Sequence, residues 1–394
     1  MVSIRSFAAA GSDTVAVLDE IEREITKRRA GVHFAFAFFG CGHDGTKIHA
    51  FLRNLFPGTA FLGGTSCSGV MTDARLWDKN SIGLLLIDDA EGQYGVSAAA
   101  FTDDPAATAR AALHAALKHA SRPGELPALI WVYQAPGHEE ETMDGLRSVV
   151  GDRCPIIGGS SADDAVISLW HQIGPEGLFE NGIAVAVLFP SGGIGTAFQG
   201  GYEPAGPSGI VTKGRGREIV EIDGKPAARV YDEWSNGILG DKIERGGNVL
   251  KETTMHPLAV ETGDIRGVPQ YLLIHPNAVT PDGALTTFAA IEEGTHVYSM
   301  RGNRKRLMER AGHVAAQAVA QLPGGPDWLA GGLMVYCAAC QMAVGDQMRD
   351  VAHEVADNFR QRPFLGCFTF GEQGCICEHN AHGNLMISAV AFGT

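Results

Sequence analysis

The chain has 394 residues, of which 45% are apolar and 19% charged, a composition typical of a globular protein. Its formal net charge of −14 argues against a nucleic acid or an anionic membrane as partner, because both would bind a basic face. The longest apolar stretches, such as residues 32–39 and 183–189, are far shorter than a bilayer span, so no membrane helix is predicted. The N-terminus lacks the apolar core and cleavage site of a signal peptide. We therefore expect a cytoplasmic protein whose eight cysteines are reduced.

The first predicted unit is a strand, a helix and a second strand. Residues 32–39 form a continuous apolar run, which is typical of a buried strand. A segment with helical periodicity follows and ends at Pro57-Gly58. A short apolar strand, residues 60–62, then leads into the small-residue loop Gly63-Gly-Thr-Ser-Cys-Ser-Gly69.

The same plan recurs twice further along the chain. The segments expected to hold a strand, a helix and a second, parallel strand are residues 32–64, 128–160 and 332–368. Helical crossovers favour parallel pairing of the two strands in each segment. The repeat therefore predicts an α/β protein with repeated β-α-β units in parallel or mixed sheets.

Each unit ends in a small-residue loop that begins with glycine. The second and third loops are Gly158-Gly-Ser-Ser-Ala-Asp-Asp164 and Gly366-Cys-Phe-Thr-Phe-Gly-Glu372. Ligands of parallel sheets bind outside the carboxyl ends of strands, and glycine lets the backbone approach a ligand closely. We expect a binding site built from these loops and from the loops that follow the first strand of each unit.

Polar residues of these loops, or close to them, are the candidate ligand contacts. They are Thr65, Ser66, Ser160, Ser161, Cys337, Thr369, Glu372, His379 and Asn380. Glu372 lies in an apolar, glycine-rich context where burial would raise its pKa, and His379 or Asn380 would supply a hydrogen-bond donor to it.

Cys67 is the candidate nucleophile. It follows a Gly-Gly turn, where backbone amides lower the pKa of a thiol or hold an oxyanion. His43 would act as its base if the loops that carry the two residues meet. A cysteine in a tight loop of small residues is also typical of simple packing, so both interpretations stay open.

Four cysteines near the end of the chain are candidates for a metal site. Cys337 and Cys340 form a Cys-x-x-Cys, a spacing typical of redox pairs and of half a zinc site. Cys375 and Cys377 lie in the same repeat at an irregular spacing. Two small buried residues under a helix are the alternative interpretation of the first pair. No cofactor is predicted from these patterns.

Several short motifs together resemble the FIST domain family. Those at the junction of its N- and C-terminal parts are Gly200-Gly-Tyr-Glu-Pro-Ala-Gly-Pro207, Val211-Thr-Lys213 and Glu221-Ile-Asp-Gly-Lys-Pro226. Those of the N-terminal signature are Gly63-Gly-Thr-Ser66 and Ile157-Gly-Gly-Ser160. Those of the C-terminal signature are His256-Pro-Leu258, the tetrapeptide at Cys337, Phe368-Thr-Phe-Gly-Glu372 and His379-Asn380. Their number and order make the resemblance specific over about residues 30–392.

The resemblance implies an intracellular sensory protein with two packed domains, a FIST N-terminal domain at 1–215 and a FIST C-terminal domain at 216–394. A small ligand would bind between them, where we expect Cys67, Glu372, His379 and Cys337 to approach one cavity. Signalling would pass to a separate kinase or cyclase. The alternatives are a Cys-dependent enzyme acting on a small amide-like or cyclic metabolite, and a haem-based nitric-oxide sensor with His256 or His275 as iron ligand.

Two departures from the family pattern concern charge. Relatives usually carry Arg at the positions of Cys340 and His275, so two guanidinium groups that would clamp a carboxylate are missing here. We expect simple anionic amino acids such as glutamate to bind weakly.

Overall fold

The computed structural model describes residues 1–27 and 31–394. Up to residue 200 the strands are β1 (Ser3–Ala10), β2 (Phe34–Phe39), β3 (Ala60–Thr65), β4 (Val70–Thr72), β5 (Ser81–Asp88), β6 (Gln93–Ala100), β7 (Leu129–Gln134), β8 (Ile156–Ser160), β9 (Gln172–Gly174), β10 (Gly177–Phe179), β11 (Gly182–Phe189) and β12 (Ile194–Gly200). The helices of this part are α1 (Thr14–Lys27), α2 (Gly45–Leu55), α3 (Pro105–His119) and α4 (Glu139–Val150).

The second part of the chain carries a long antiparallel region and then the third unit. Its strands are β13 (Tyr202–Arg215), β14 (Glu218–Ile222), β15 (Lys225–Pro226), β16 (Gly247–Asn248), β17 (Leu258–Ile265), β18 (Val268–Ile274), β19 (Pro276–Val279), β20 (Leu285–Thr287), β21 (His296–Gly302), β22 (Leu329–Cys337), β23 (Phe364–Thr369), β24 (Glu372–Ile376), β25 (His379–Gly383) and β26 (Met386–Gly393). Its α-helices are α5 (Ala227–Trp234), α6 (Lys242–Arg245), α7 (Leu250–Thr253), α8 (Arg304–Ala320), α9 (Ala338–Val344) and α10 (Met348–Asn358).

The three predicted β-α-β units are confirmed. β2 pairs parallel with β3 across α2, β7 with β8 across α4, and β22 with β23 across α9 and α10. An antiparallel strand, β5, β11 or β26, lies beside the first strand of each unit and makes the three sheets mixed. The chain is therefore an α/β protein with repeated units, as the sequence predicts.

The two faces of each unit's first strand pack against different layers. Phe36 and Phe38 of β2, Trp131 of β7 and Val335 of β22 belong to one shared core between the three sheets. The alternate side chains point outward to the helices, as Ala37 of β2 does toward α1 and α2. This alternation follows from the two-residue period of a strand. The three sheets thus surround a common core and carry their helices on the outside.

Strands are exchanged between the units in a cycle. β4, which follows the loop of the first unit, pairs with β23 of the third unit. β9, after the second loop, pairs with β3 of the first unit, and β24, after the third loop, pairs with β8 of the second. Each unit therefore covers an open sheet edge of another unit, which removes edges that would otherwise expose unpaired backbone groups.

Backbone hydrogen bonds join the three loops where they cross. Cys67 N donates to Phe368 O at 3.2 Å, Ala162 N to Thr65 O at 3.2 Å, and Ser160 N to a carbonyl of the third loop at 2.8 Å. Glycines at the start of the first two loops allow this crossing. A Cβ on Gly64 would lie 2.3 Å from the backbone oxygen of His171, just before β9, and one on Gly159 would lie 3.0 Å from the backbone oxygen of Gly371 in the third loop.

A single antiparallel sheet occupies the region between the second and third units. Its strands follow the order β16-β19-β20-β14-β13-β21-β17-β18, with β15 on β14. The predicted domain division at residues 215 and 216 falls at the end of β13, which pairs with β14, and it stays a prediction. Within residues 1–27 and 31–394, the helices are too short or too polar to cross a bilayer.

Replacing Ser66 by alanine should destabilise the loop crossing. The Ser66 hydroxyl donates to the carbonyl of Gly69 and accepts from the amide of Phe368 at 2.8 Å, both inside the protein. Leaving these buried groups without partners should lower the free energy of unfolding by about 2 kcal/mol, measured by urea denaturation. Ser3→Ala, at an exposed position of β1, is the control and should change it by less than about 0.5 kcal/mol. Equal small effects would contradict the structural role of the crossing.

Candidate functional site

A cavity of about 850 Å³ lies between the repeated units and the antiparallel sheet. Residues after β7, such as Gly137, and Cys337 at the end of β22 form one side. Residues near α7, such as Leu250, and His275 between β18 and β19 form the other. The cavity therefore opens at the carboxyl ends of parallel strands, where α/β sheets bind ligands. Its size is that of a pocket for a drug-sized molecule.

The walls are largely apolar and aromatic. Trp170 meets Phe370 of the third loop edge to face, with 6.1 Å between ring centroids. Phe288, which also lines the cavity, packs against the His275 ring with 6.0 Å between ring centroids. Met255 and Met342 also line the cavity, and Met342 is 52% exposed. Such walls favour a ligand with a flat or otherwise apolar body.

An ion pair between the buried Glu139 and the half-buried Arg217 forms part of the cavity wall. Arg217 bonds Glu139 at 2.6 Å and also contacts Glu140. Ser160 donates to the other oxygen of Glu139 at 2.6 Å. Burial alone would raise the pKa of Glu139, but the charges of His382 and Arg217 outweigh burial and hold that pKa below its usual value. Glu139 is therefore charged, and Arg217 compensates its charge.

His275 is a neutral group in the cavity wall. The residue is 2% exposed, and burial lowers the pKa of its imidazole to about 4. Its backbone amide donates to Oδ1 of Asn384 at 3.2 Å. The amide nitrogen Nδ2 of Asn384 has no hydrogen-bond partner among the described residues. Asn384 is itself 2% exposed and lines the cavity. The wall thus contains a buried amide donor that a ligand oxygen would satisfy.

Two further cations line the cavity, Lys251 and Arg304. Within the described part of the chain neither has a carboxylate within 4 Å, which distinguishes them from Arg217. Arg304 opens α8, and its Nε donates to the carbonyl of Ala343 at 3.1 Å. Positive charge is therefore in excess at this cavity, although the protein as a whole is acidic.

Of the four residues expected to converge, Cys337 lines the cavity and Glu372 lies behind it. Thr369 donates to one oxygen of Glu372 at 2.8 Å, and the amide of Met386 donates to the other at 3.0 Å. Burial first, and then the neighbouring Cys337, raises the pKa of Glu372 well above its usual value. Burial likewise raises the pKa of the Cys337 thiol.

Cys67 is not among the lining residues, so its expected place in the cavity is wrong. The strand exchange turns it inward to the loop crossing, where it is fully buried and its Sγ lies 3.5 Å from the Ser68 hydroxyl. Burial raises the pKa of its thiol to about 12. His43 contacts Thr14 at 3.1 Å and the carbonyl of Asn80 at 2.8 Å instead. The two side chains do not form the nucleophile–base pair that the sequence suggests.

His379 also lies away from the cavity, contrary to expectation. Its side chain is 65% exposed and lies 3.4 Å from the carboxylate of Asp152. Asn380 next to it accepts from the amide of Ile156 at 2.8 Å and donates to the carbonyl of Cys154 at 2.8 Å. These bonds hold the β24–β25 hairpin to the second unit and give Asn380 a structural role.

The small polar residues of the first two loops face the loop crossing. Thr65 Oγ1 accepts from the amide of His171 at 3.0 Å, and Ser161 donates to the carbonyl of Gln134 at 3.0 Å. Ser66 is bonded within the crossing, while Ser160 reaches the cavity through Glu139. Their buried hydroxyl groups are occupied by protein partners.

The cysteines do not form a metal site with other ligands. No group of three or more His, Cys, Asp or Glu suited to a metal occurs in the part of the chain that the structure describes. Cys340 is buried 3.5 Å from the hydroxyl of Tyr202, whereas Cys375 and Cys377 lie partly exposed on and after β24. The eight cysteines are all unpaired.

The two histidines proposed as haem ligands differ in their position. His256 is not among the residues that line the cavity, whereas His275 is. The His275 ring is buried, and its Nε2 lies 3.4 Å from the Thr254 hydroxyl.

Sequence patterns missed most of the cavity. Trp170, Arg217, Lys251 and Asn384 come from distant parts of the chain, and no motif marks them. Only Arg304 among these residues stands in a sequence pattern that could have marked it. It is the first of three consecutive basic residues in the first turn of α8, where the helix dipole disfavours positive charge.

The stability of the protein should depend on pH through His275. Between pH 4 and 6.5 the unfolded chain binds a proton at this imidazole that the folded protein does not, so stability falls as the pH falls. From pH 7 to pH 5 the wild type should lose about 2 kcal/mol more unfolding free energy than His275→Gln, measured by urea denaturation at both pH values. Parallel losses in the two proteins would show that His275 is not a buried neutral group.

The Cys67 thiol should be unreactive in the folded protein. Because it is buried and protonated at pH 8, iodoacetamide should label wild type and Cys67→Ser to the same extent, counted by mass spectrometry. Unfolding in urea is the control and should expose one extra label in the wild type. A label lost from the folded variant would restore Cys67 as a candidate nucleophile.

Comparisons with known proteins agree with the motifs. A FIST N domain matches residues 33–225, and a FIST C domain matches residues 227–375. A segment of 95 residues is 33% identical to an uncharacterized protein of Methanocaldococcus jannaschii and covers 24% of this chain and 18% of that protein. Two cyanuric acid hydrolase structures, one from A. caulinodans, are 10% identical over the whole of both chains, with TM-scores of 0.37 and 0.34, too low to support an inference. The chain belongs to the FIST family.

Proposed function

We propose that the protein is a sensory protein that binds a small organic ligand in the cavity between the units and the antiparallel sheet. FIST domains are sensory ligand-binding domains. The observation that carries the proposal is that one cavity is walled from both matched regions. Gly137, Trp170 and Arg217 come from the FIST N match, and His275 and Cys337 come from the FIST C match.

A ligand in this cavity would contact parts of the chain that lie far apart in the sequence. On one side it would contact Trp170, which follows the exposed loop residues Val166 and Leu169. On the other it would contact α7 and the start of α8. A ligand that contacts both sets of elements would bind more tightly to one arrangement of them than to another. Such a difference in affinity shifts the conformational equilibrium toward the arrangement that binds the ligand.

The signal would pass to a separate kinase or cyclase, in the cytoplasm. The Cys-dependent enzyme is less well supported, because burial keeps the Cys67 thiol protonated and His43 is bonded elsewhere. The haem sensor is less well supported because His256 is outside the cavity lining and the buried His275 ring has its Nε2 next to the Thr254 hydroxyl.

Filling the cavity should abolish ligand binding. Ala339 lines the cavity on α9, so Ala339→Trp should occupy its space. Compounds from a metabolite panel that raise the melting temperature of the wild type by several degrees should have no effect on Ala339→Trp, because ligands stabilise only the state that binds them. Differential scanning fluorimetry measures both.

Ala115→Trp on the exposed side of α3 is the matched control and should respond like the wild type. A compound that stabilises Ala339→Trp as much as the wild type would place its binding site elsewhere. Such a result would contradict the proposed function.

A further inference from the structure

We propose that the ligand of this cavity is an amphiphilic anion, with an apolar, largely planar body and one oxyanion group such as a carboxylate or sulfonate held by Arg304 and Lys251. The proposal rests on the proposed function, since it names the chemical class of ligand for the same cavity. It follows from the walls, the distribution of charge and the position of Arg304 on its helix.

The walls define the body of the ligand. Trp170 and Phe370, which contact each other, line the cavity together with Phe288, Met255 and Met342. Aromatic and thioether groups contact an apolar ring system favourably but give a zwitterionic amino acid few hydrogen bonds. A hydrophilic anion such as glutamate would therefore lose its hydration here without compensation.

The charges define one end of the ligand. Glu139 and Arg217 neutralise each other, and Glu140 adds a second acid to that pair. Lys251 and Arg304 keep their charges without a carboxylate within 4 Å in the described residues. An anion in the cavity would be attracted by both, whereas a cationic ligand would be repelled.

The sequence around Arg304 is itself unfavourable without an anion. Three basic residues occupy the first turn of α8, where the helix dipole repels positive charge. Lys305 and Arg306 are compensated by Glu309 and Glu203. Arg304 lacks such a partner, and its Nε is held by the Ala343 carbonyl, so its terminal nitrogens remain for a bidentate contact with an oxyanion.

A second feature of the wall points to a bound molecule. Asn384 is 2% exposed and lines the cavity, yet its Nδ2 has no partner within the described part of the chain. Its Oδ1 is fixed by the backbone amide of His275. An unsatisfied buried donor is costly, and an acceptor atom on the ligand body would relieve that cost.

Two fluorescent probes of nearly the same shape test this class. Anilinonaphthalene sulfonate has an apolar body with a sulfonate, and phenylnaphthylamine is the neutral parent without it. In fluorescence titrations the wild type should bind the sulfonate at least tenfold more tightly than the neutral probe, since the difference reports the charged contact. The preference should shrink as salt is added.

Arg304→Gln should reduce the affinity for the sulfonate about tenfold and leave the affinity for the neutral probe unchanged. Arg306→Gln is the matched control, because it removes a charge from the same turn but from a residue paired with Glu203 and outside the cavity lining. It should keep the preference of the wild type.

The possible outcomes distinguish an error in the proposed ligand class from an error in the proposed binding cavity. Equal affinity for the two probes, or equal losses in Arg304→Gln and Arg306→Gln, would overturn the anionic end and leave the binding cavity intact. Failure to bind either probe would overturn the apolar body. Unchanged binding of both probes by Ala339→Trp would place them outside the cavity and would contradict the proposed function as well.

Discussion

Three short loops of small residues hold the molecule together, because each leaves the sheet of its own unit and continues as a strand in the sheet of another. The exchange brings Cys67, Ala162 and Phe368 into backbone hydrogen bonds within the protein. It requires glycine where the chain of one unit passes close to the backbone of another, as at Gly64 against His171 and Gly159 against Gly371. None of the three units can therefore close its sheet edges alone, and the fold depends on all three being present.

The same constraint decides where ligands can bind. The loop crossing occupies the space that three small-residue loops would offer to a ligand, and it uses their hydroxyl groups for internal bonds. The cavity forms instead to one side, where the carboxyl ends of β7 and β22 face the antiparallel sheet inserted between the second and third units. The insertion breaks the threefold pattern, supplies Lys251, His275 and Phe288, and makes this end of the molecule different from the other two.

The sequence predicts the repeated units well and the site poorly, for physical reasons. A continuous apolar run followed by helical periodicity identifies β2, α2 and β3, and the same pattern identifies the strands and helices of the other two units. The reason is that a strand buried on both faces needs apolar residues at every position. The strand exchange leaves no local signal, because pairing of β4 with β23 joins residues nearly three hundred positions apart. A sequence analysis that lacks the strand exchange therefore assigns both Cys67 and Glu372 to the ligand site. In the structure Cys67 lies in the loop crossing, and Glu372 is a buried neighbour of Cys337.

A crystal structure of the protein with anilinonaphthalene sulfonate would test the central claim most directly, because it locates the apolar body and the charged group together. We expect density for the rings in the cavity between Trp170 and Phe288, with the sulfonate oxygens within hydrogen-bond distance of Arg304. Density for the probe at the loop crossing around Cys67, or on an exposed surface with the cavity empty, would contradict it.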